Sequence, residues 1–400
     1  MRIRSVTCFV NVDDLAGLAG TVRDAGLLAA DARAALAAAG YQVQTARLAT
    51  QPLSQLPAPP LDVAQVLWPL CLQAGFEYLS LGPVVAGGTG ADLSRLDLIP
   101  ALIRGTDAVF ASVLVADPAW GLRLAAIRRT AEIVREIGQT TDQGFGNLRL
   151  AMLANVGPHA PFFPAAYHDG GPPAVALATE SADLAVEAFE DAGSLDDARA
   201  RLVAAVESHA ERLVGAVAPL AEAHGYRFPG LDFSLAPFPE EARSIAAAVE
   251  RLGVEKFGAP GTLFVASLLT GCLRQARYPR TGLNGLMLPV LEDAVLAARS
   301  LERLYTVNDL LLYSAVCGTG LDTVPLPGDV GEAELAGILL DVATLALRLD
   351  KPLTARLMPV PGLAAGDVTD FDFAYFANGR VLDVKGVGSS DLPWDRAFTP

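Results

Sequence analysis

Side chains able to do chemistry are few in this chain and gather in three stretches. The densest runs Tyr313-Ser-Ala-Val-Cys-Gly-Thr-Gly-Leu-Asp-Thr-Val-Pro-Leu-Pro-Gly-Asp329. An apolar run ends at Cys317, two glycines permit a sharp turn with the backbone close to a bound group, and Asp322 and Asp329 bracket two prolines that stiffen the loop. A thiol presented this way is a candidate nucleophile or acid/base. The competing reading is a small buried core residue, the common fate of a free cysteine. The second stretch, Asn155 to Asp169, holds two of the four histidines in an aromatic, proline-rich loop after a predicted strand. His168 is its candidate for acid/base work or metal ligation, against the alternative of a loop histidine hydrogen-bonded to backbone. The third is Glu292-Asp293, after Asn284-Gly-Leu-Met-Leu-Pro-Val-Leu291. Carboxylates in a first helical turn are favoured by the helix dipole alone. With Asp322 and Asp329, however, Glu292 would offer hard oxygen ligands to a divalent cation, Mg²⁺ or Ca²⁺. Arg149 and Arg356 are candidates to bind an anionic group of a substrate, with Asn155 and Asn284 as further substrate-binding candidates.

Several function classes are excluded by what is missing. There is no GxSxG elbow, GxxxxGK phosphate loop or HExxH helix, and Gly144-Phe-Gly146 and Gly318-Thr-Gly320 lack the third glycine of a dinucleotide fingerprint. A net charge of −15 repels polyanions, so a nucleic-acid partner is not expected. No window reaches the ~18 uninterrupted apolar residues of a membrane span. Cys8, Cys71, Cys272 and Cys317 form no CxxC pair and no disulfide framework, which points to a reduced, cytoplasmic protein.

The elements that must position these residues follow from the apolar pattern. With 52% hydrophobic residues there is material for one large core. Short apolar runs alternate with stretches of helical period, the pattern of an α/β protein with buried strands. Strands are expected at Ile3 to Val12, Gln42 to Leu48, Tyr78 to Pro83, Ala108 to Val115, Leu148 to Val156, Ala174 to Ala178 and Thr354 to Val360. A C-terminal antiparallel hairpin is expected near 371–384, turning at Asn378-Gly379. Ser194-Leu-Asp-Asp197 resembles a capping box, and the apolar steps after it predict a long helix running to a kink near Pro219. Other helices are expected at Leu15 to Ala39, Trp120 to Ile137, from Ile245 to a stop at Gly253, Leu263 to Gln275, Leu291 to Leu304 and Glu332 to Arg348. Their alternation predicts a closed or nearly closed barrel of strands surrounded by helices, a single domain over 1–400.

Six segments together resemble the DUF711 proteins and their relatives, the UPF0210 (PFL-like) family. They are Ile3-Arg-Ser-Val-Thr7; Gly146-Asn-Leu-Arg149 with the loop from Asn155 to His168; Ser234-Leu-Ala-Pro-Phe-Pro239; Phe257-Gly-Ala-Pro-Gly-Thr262; Val316-Cys-Gly-Thr-Gly-Leu-Asp322 with Pro327-Gly-Asp329; and Ala355-Arg-Leu-Met-Pro-Val-Pro-Gly362. The resemblance implies a fold related to pyruvate formate-lyase, a barrel of about ten strands with helices outside, in which Cys317 would correspond to the thiol-bearing loop of the glycyl radical enzymes. Those enzymes also carry an RVxGY motif, and the nearest candidate here, Gly386-Val-Gly388, lacks the flanking arginine and aromatic residue. Glycyl-radical chemistry is therefore not expected. The resemblance supplies no substrate. The expectation is an enzyme acting on a small polar metabolite at the barrel mouth; the alternative is a non-catalytic metabolite-binding or regulatory protein. Homo-oligomerisation is compatible with both.

Overall fold

The apolar runs become strands of one mixed sheet. The computed structural model of the chain describes residues 1–89, 91–190, 192–385, 392–395 and 397–398, so Gly386-Val-Gly388 lies outside the described residues. The strands are β1 (Arg2–Phe9), β2 (Val43–Ala49), β3 (Tyr78–Val85), β4 (Val109–Asp117), β5 (Gly121–Arg123), β6 (Leu150–Ala154), β7 (Ala174–Glu180), β8 (Arg227–Asp232), β9 (Gly320–Pro327), β10 (Leu353–Val360) and β11 (Ala397–Phe398). Their order is β8-β7-β1-β2-β3-β4-β6-β10-β9, with β5 pairing off this path with β4 and β11 with β5. The block β1-β2-β3-β4-β6 is parallel, and antiparallel joints to β7 on one side and β10 on the other reverse the direction.

This ladder is open: of the closed or nearly closed barrel expected, the sheet surrounded by helices is present and the closure is not. The edges β8 and β9 are linked only through isolated parallel bridges from the segment 280–289: Leu231 to Arg280, Leu235 to Leu286, and Pro289 to Asp322. The reason is local. Asn284 (φ 48) and Gly282 (φ 82) take left-handed backbone conformations, and Pro289 has no N–H, so no continuous ladder forms. What holds the segment is Asp232, whose carboxylate accepts from the amides of Leu283 (2.6 Å) and Asn284 (3.0 Å). Gly285 and Gly318 touch so closely that a Cβ on either would overlap the other's backbone.

Both faces of the sheet are covered. In β4, Val109, Ala111, Val113 and Val115 join the large core beneath the helices, while Phe110 and Leu114 face inward. Helices at Leu18–Ala38, Pro60–Gln73, Leu124–Thr140, Leu195–Ala223, Thr262–Gln275 and Glu332–Arg348 form the outer layer. The Ser194 cap is present, but the helix it starts runs past Pro219 to Ala223. Inside, residues 156–168 fill one end. The Ser5 and Thr7 hydroxyls both donate to the Pro161 carbonyl (3.1 and 3.0 Å), and Ser80 donates to that of Ala166 (2.8 Å).

Two further expectations are corrected. Residues 371–384 form no hairpin: an isolated bridge joins Val368 to Arg380, and the Asn378 side chain binds Phe371 instead of turning a ladder, accepting from its amide (2.9 Å) and donating to its carbonyl (3.1 Å). The helix expected from Leu291 begins at Ala294, because Asp293 is its N-cap and accepts from the amides of Val295 and Leu296. Asp293 also accepts from Ser244 Oγ and the Ile245 amide, tying two helix starts together. Glu292 is thereby left ahead of the helix and turned elsewhere. No helix among the described residues is long and apolar enough to cross a membrane.

Candidate functional site

An internal cavity, with about 940 Å³ of empty space counted through to its opening, lies at the N-terminal ends of β2, β3, β4 and β6. Phe162, Phe163, Pro164 and Ala165 of the loop that holds the histidines close it on one side, while His159 and His168 lie outside its lining. Its charged residues come from alternate strand positions and from the 280–292 stretch: Arg4 on β1, Arg47 on β2, Asp322 on β9, Arg356 on β10, and Glu292. Arg356 lies between the two carboxylates, its Nη2 2.7 Å from Glu292 and its Nε 2.6 Å from Asp322. Arg4 bonds the other oxygen of Glu292 and also reaches Glu180 (3.3 Å), which Arg243 holds from its far side. The result is an alternating chain: Arg243, Glu180, Arg4, Glu292, Arg356, Asp322.

This chain splits the two cavity carboxylates. Burial pushes Glu292 up, but the guanidinium groups of Arg356 and Arg4 outweigh it, so its pKa falls below the ordinary value. Asp322 is equally buried with Arg356 as its bonded partner and the Glu292 charge near by, so its pKa rises. Arg356 loses charge stability by burial and regains more from Asp322 and Glu292; its pKa is raised.

Arg47 stands apart. Its Nε donates to Thr45 Oγ1 (2.8 Å), and its guanidinium carbon lies 5.6 Å from the Tyr78 ring centroid and 5.2 Å from that of Phe163. It has no carboxylate partner among the described residues. Burial first, and then the nearby charge of Arg4, push its pKa down to about 9. Tyr78, Phe110 and Phe163 form an edge-to-face series beside it, and Phe373 and Tyr375 complete the wall.

Of the residues singled out in the sequence, three meet here: Glu292, Asp322 and Arg356. Their positive neighbour is a guanidinium placed where the divalent cation was expected. Asp329 is exposed in the turn after β9 and does not join them. Cys317 is fully buried in the outer core and does not border this cavity; Lys351 Nζ donates to its carbonyl and to that of Ser314 (2.8 Å). It is Thr319, two residues on, that reaches the cavity wall. Arg149 donates to the carbonyls of Ile103 (2.7 Å) and Thr106 (2.6 Å), closing the end of a short helix. Asn155 donates to Asp350 (3.2 Å), and Asn284 accepts from the Phe233 amide (3.0 Å) and the Tyr278 hydroxyl (3.0 Å).

His168 is fully buried at the plugged end. Its Nε2 lies 3.1 Å from the Pro172 carbonyl, and its Nδ1 lies 2.8 Å from Asn11 Oδ1 and 3.1 Å from the Gly170 amide nitrogen, so both ring nitrogens are engaged. His159, His168 and Asp169 bring possible ligand atoms within 4.8 Å of one another. Arg227, however, already sits on Asp169 (3.3 Å) and donates to His159 Nε2 (3.4 Å). Burial lowers both histidines, His159 to about 4.

Sequence reasoning missed Arg4, Arg47 and Tyr78. The one signal was weak: Arg47 stands between the buried, apolar Ala46 and Leu48, and a charge in such a position needs a reason.

Residues 1–377 match the family model described as "Uncharacterised ACR (DUF711)". A UPF0210 protein of Pyrobaculum arsenaticum is 34% identical over 373 residues, 88% of this chain and 81% of the relative. Another, of Methanopyrus kandleri, is 34% identical over 339 residues, covering 81% and 74%, and one of Oleidesulfovibrio alaskensis is 28% identical over 372 residues, covering 88% and 81%. These names carry no reaction or ligand. With the family model spanning nearly the whole chain, from β1 to the aromatic loop at the cavity wall, this protein belongs to the DUF711 family.

Proposed function

We propose that the chain is an enzyme that transfers protons to and from a small metabolite bound in the internal cavity, with Asp322 and Glu292 as the acid/base pair. The observation that carries this reading is geometric: two carboxylates on the cavity wall share Arg356, and Glu292 alone has a second guanidinium, that of Arg4; this unequal pairing holds Glu292 below its ordinary pKa and leaves Asp322 above its own. Titratable pairs pushed apart by their surroundings are the usual arrangement of acid and base in one site. Arg356 and Arg4 position the pair, and their charges replace the expected Mg²⁺ or Ca²⁺. Cys317 and His168, tied into the core and to backbone, have no part in this reading.

The fold implied by the family resemblance fits the same picture. Counting the 280–289 segment with β7, β8, β9 and β10 gives five elements of one direction against the five of β1-β2-β3-β4-β6, as in a ten-stranded ring around the cavity. Four buried free cysteines fit a reducing compartment such as the cytoplasm.

The test is solvent exchange. Incubated in D₂O with a pooled small-metabolite library, the protein is expected to place deuterium in at least one compound, by mass spectrometry. Asp322→Asn should slow that exchange by about 10²–10⁴-fold, the range for loss of a general acid or base. A ligand that binds but is recovered without exchange or change would make the protein a metabolite sensor instead.

A further inference from the structure

We infer that the cavity's ligand is a small amphipathic monocarboxylate, its carboxylate seated on Arg47 and its apolar body among the rings beside it. This rests on the cavity being the working site, as proposed above.

Arg4, Arg243 and Arg356 are answered by Glu180, Glu292 and Asp322, each contact a direct ion pair. Arg47, only 7% exposed, is left over. Two ring faces and one hydroxyl attend it. Cation–π attraction to two rings offsets only part of what burying an ion costs. Arg47 is therefore an under-compensated cation, and its terminal N–H groups bond to nothing among the described residues. A planar carboxylate can accept both in a bidentate pair. The depressed pKa of Arg47 agrees with this, since an anion placed there would restore it.

A single negative charge is what the site can take. One unpaired guanidinium neutralises a carboxylate, while a dianion would leave excess charge facing Glu292 and Asp322. The rest of the wall argues for an apolar body: Phe110, Phe162, Leu148 and Met287 line the cavity alongside Tyr78 and Phe163. Arg47 orients, and the carboxylate pair across the cavity meets the other end of the ligand.

The experiment is calorimetric titration of the whole chain with phenylacetate and 3-methylbutanoate, their neutral amides, and inorganic phosphate, on wild type, Arg47→Met and Arg47→Lys. The acids are expected to bind wild type at least tenfold more tightly than their amides and more tightly than phosphate. Arg47→Met should weaken acid binding by about a hundredfold, within the range for truncating one partner of a buried charge pair, and amide binding by less than tenfold. Arg47→Lys should fall between. Because Arg47→Met removes an unpaired buried charge, the ligand-free variant should melt no lower than wild type. If it fails to fold, the acid-against-amide preference of wild type decides alone. Equal binding of acids and amides, stronger binding of phosphate, no acid binding at millimolar concentration, or unchanged acid affinity in Arg47→Met would each overturn the inference. Failure of the acid/base reading is separable: an acid that binds through Arg47 but never exchanges hydrogen removes the proton transfer and leaves this ligand class standing. Exchange on a neutral compound, undiminished in Arg47→Met, does the reverse.

Discussion

The two ends of the interior both gather titratable side chains, two histidines with Asp169 and Arg227 at one and arginines with carboxylates at the other, and differ in how the charge is satisfied. At the plugged end, His159, His168, Asp169 and Arg227 turn on one another and on the backbone of Gly170 and Pro172. At the cavity end, a chain of arginines and carboxylates closes on itself except for Arg47, which faces open space with no anion. By residue type alone the plugged end looks more like an active site, because two histidines and an aspartate suit acid/base work and metals equally. What separates the ends is the unmet partner, since a buried polar group without one is costly and is kept where a ligand supplies it.

The sharpest way to break this contrast is to remove an arginine that is paired. Arg356→Met strands Asp322 and leaves Glu292 with Arg4 alone; it is expected to cost about 3–5 kcal/mol of stability by chemical denaturation, the usual penalty for halving a buried pair. Arg47→Met, the same change in the same cavity, should cost next to nothing. Equal losses would mean that Arg47 is compensated after all and the comparison is void.

At the other end, His168→Ala removes the ring's contacts with the Asn11 side chain, the Pro172 carbonyl and the Gly170 amide; the amide is left unpaired, while the carbonyl keeps Arg227 Nε as its donor (3.3 Å). About 1–3 kcal/mol of destabilisation is expected, with ligand affinity unchanged once the protein is folded. A large loss of binding with little loss of stability would turn His168 from a structural residue into a functional one.

A smaller effect concerns pH. Burial lowers His159 from its ordinary 6.5 to about 4, and His168 shifts in the same direction. Between those values the unfolded chain holds more protons than the folded one, so stability is full above about pH 6.5 and declines as pH falls towards 4. His159→Gln should flatten that decline in denaturation curves taken from pH 7 to 4.5. A decline of undiminished slope would assign it to other groups.

Much of the frame was legible in the sequence because its strands are buried on both faces. β2, β3, β4 and β10 lie within a few residues of their apolar runs, and β7 extends two residues beyond its run, to Glu180. β9 was hidden by Pro325 and Pro327, which read as a stiff loop, and β8 by Pro229 and Gly230. The site was only half legible. Glu292, Asp322 and Arg356 could be named from their loops and motifs, but their meeting depends on β9 lying beside β10, a pairing made over 30 residues. Cys317 was the most conspicuous residue and lies in the outer core, because the tight contact of Gly318 with Gly285 turns the chain so that Thr319 faces in. Arg47 sits in a short run without glycine, proline or a paired carboxylate, so no motif draws attention to it; only burial without a partner does.

The central claim is that the working end of the interior is the one holding Arg47. It is tested most directly by the thermal stabilisation that saturating phenylacetate gives to three proteins: wild type, Arg47→Met and His168→Ala. The account predicts a clear rise in melting temperature for wild type and for His168→Ala, and none for Arg47→Met. A rise that survives in Arg47→Met and disappears in His168→Ala would contradict it.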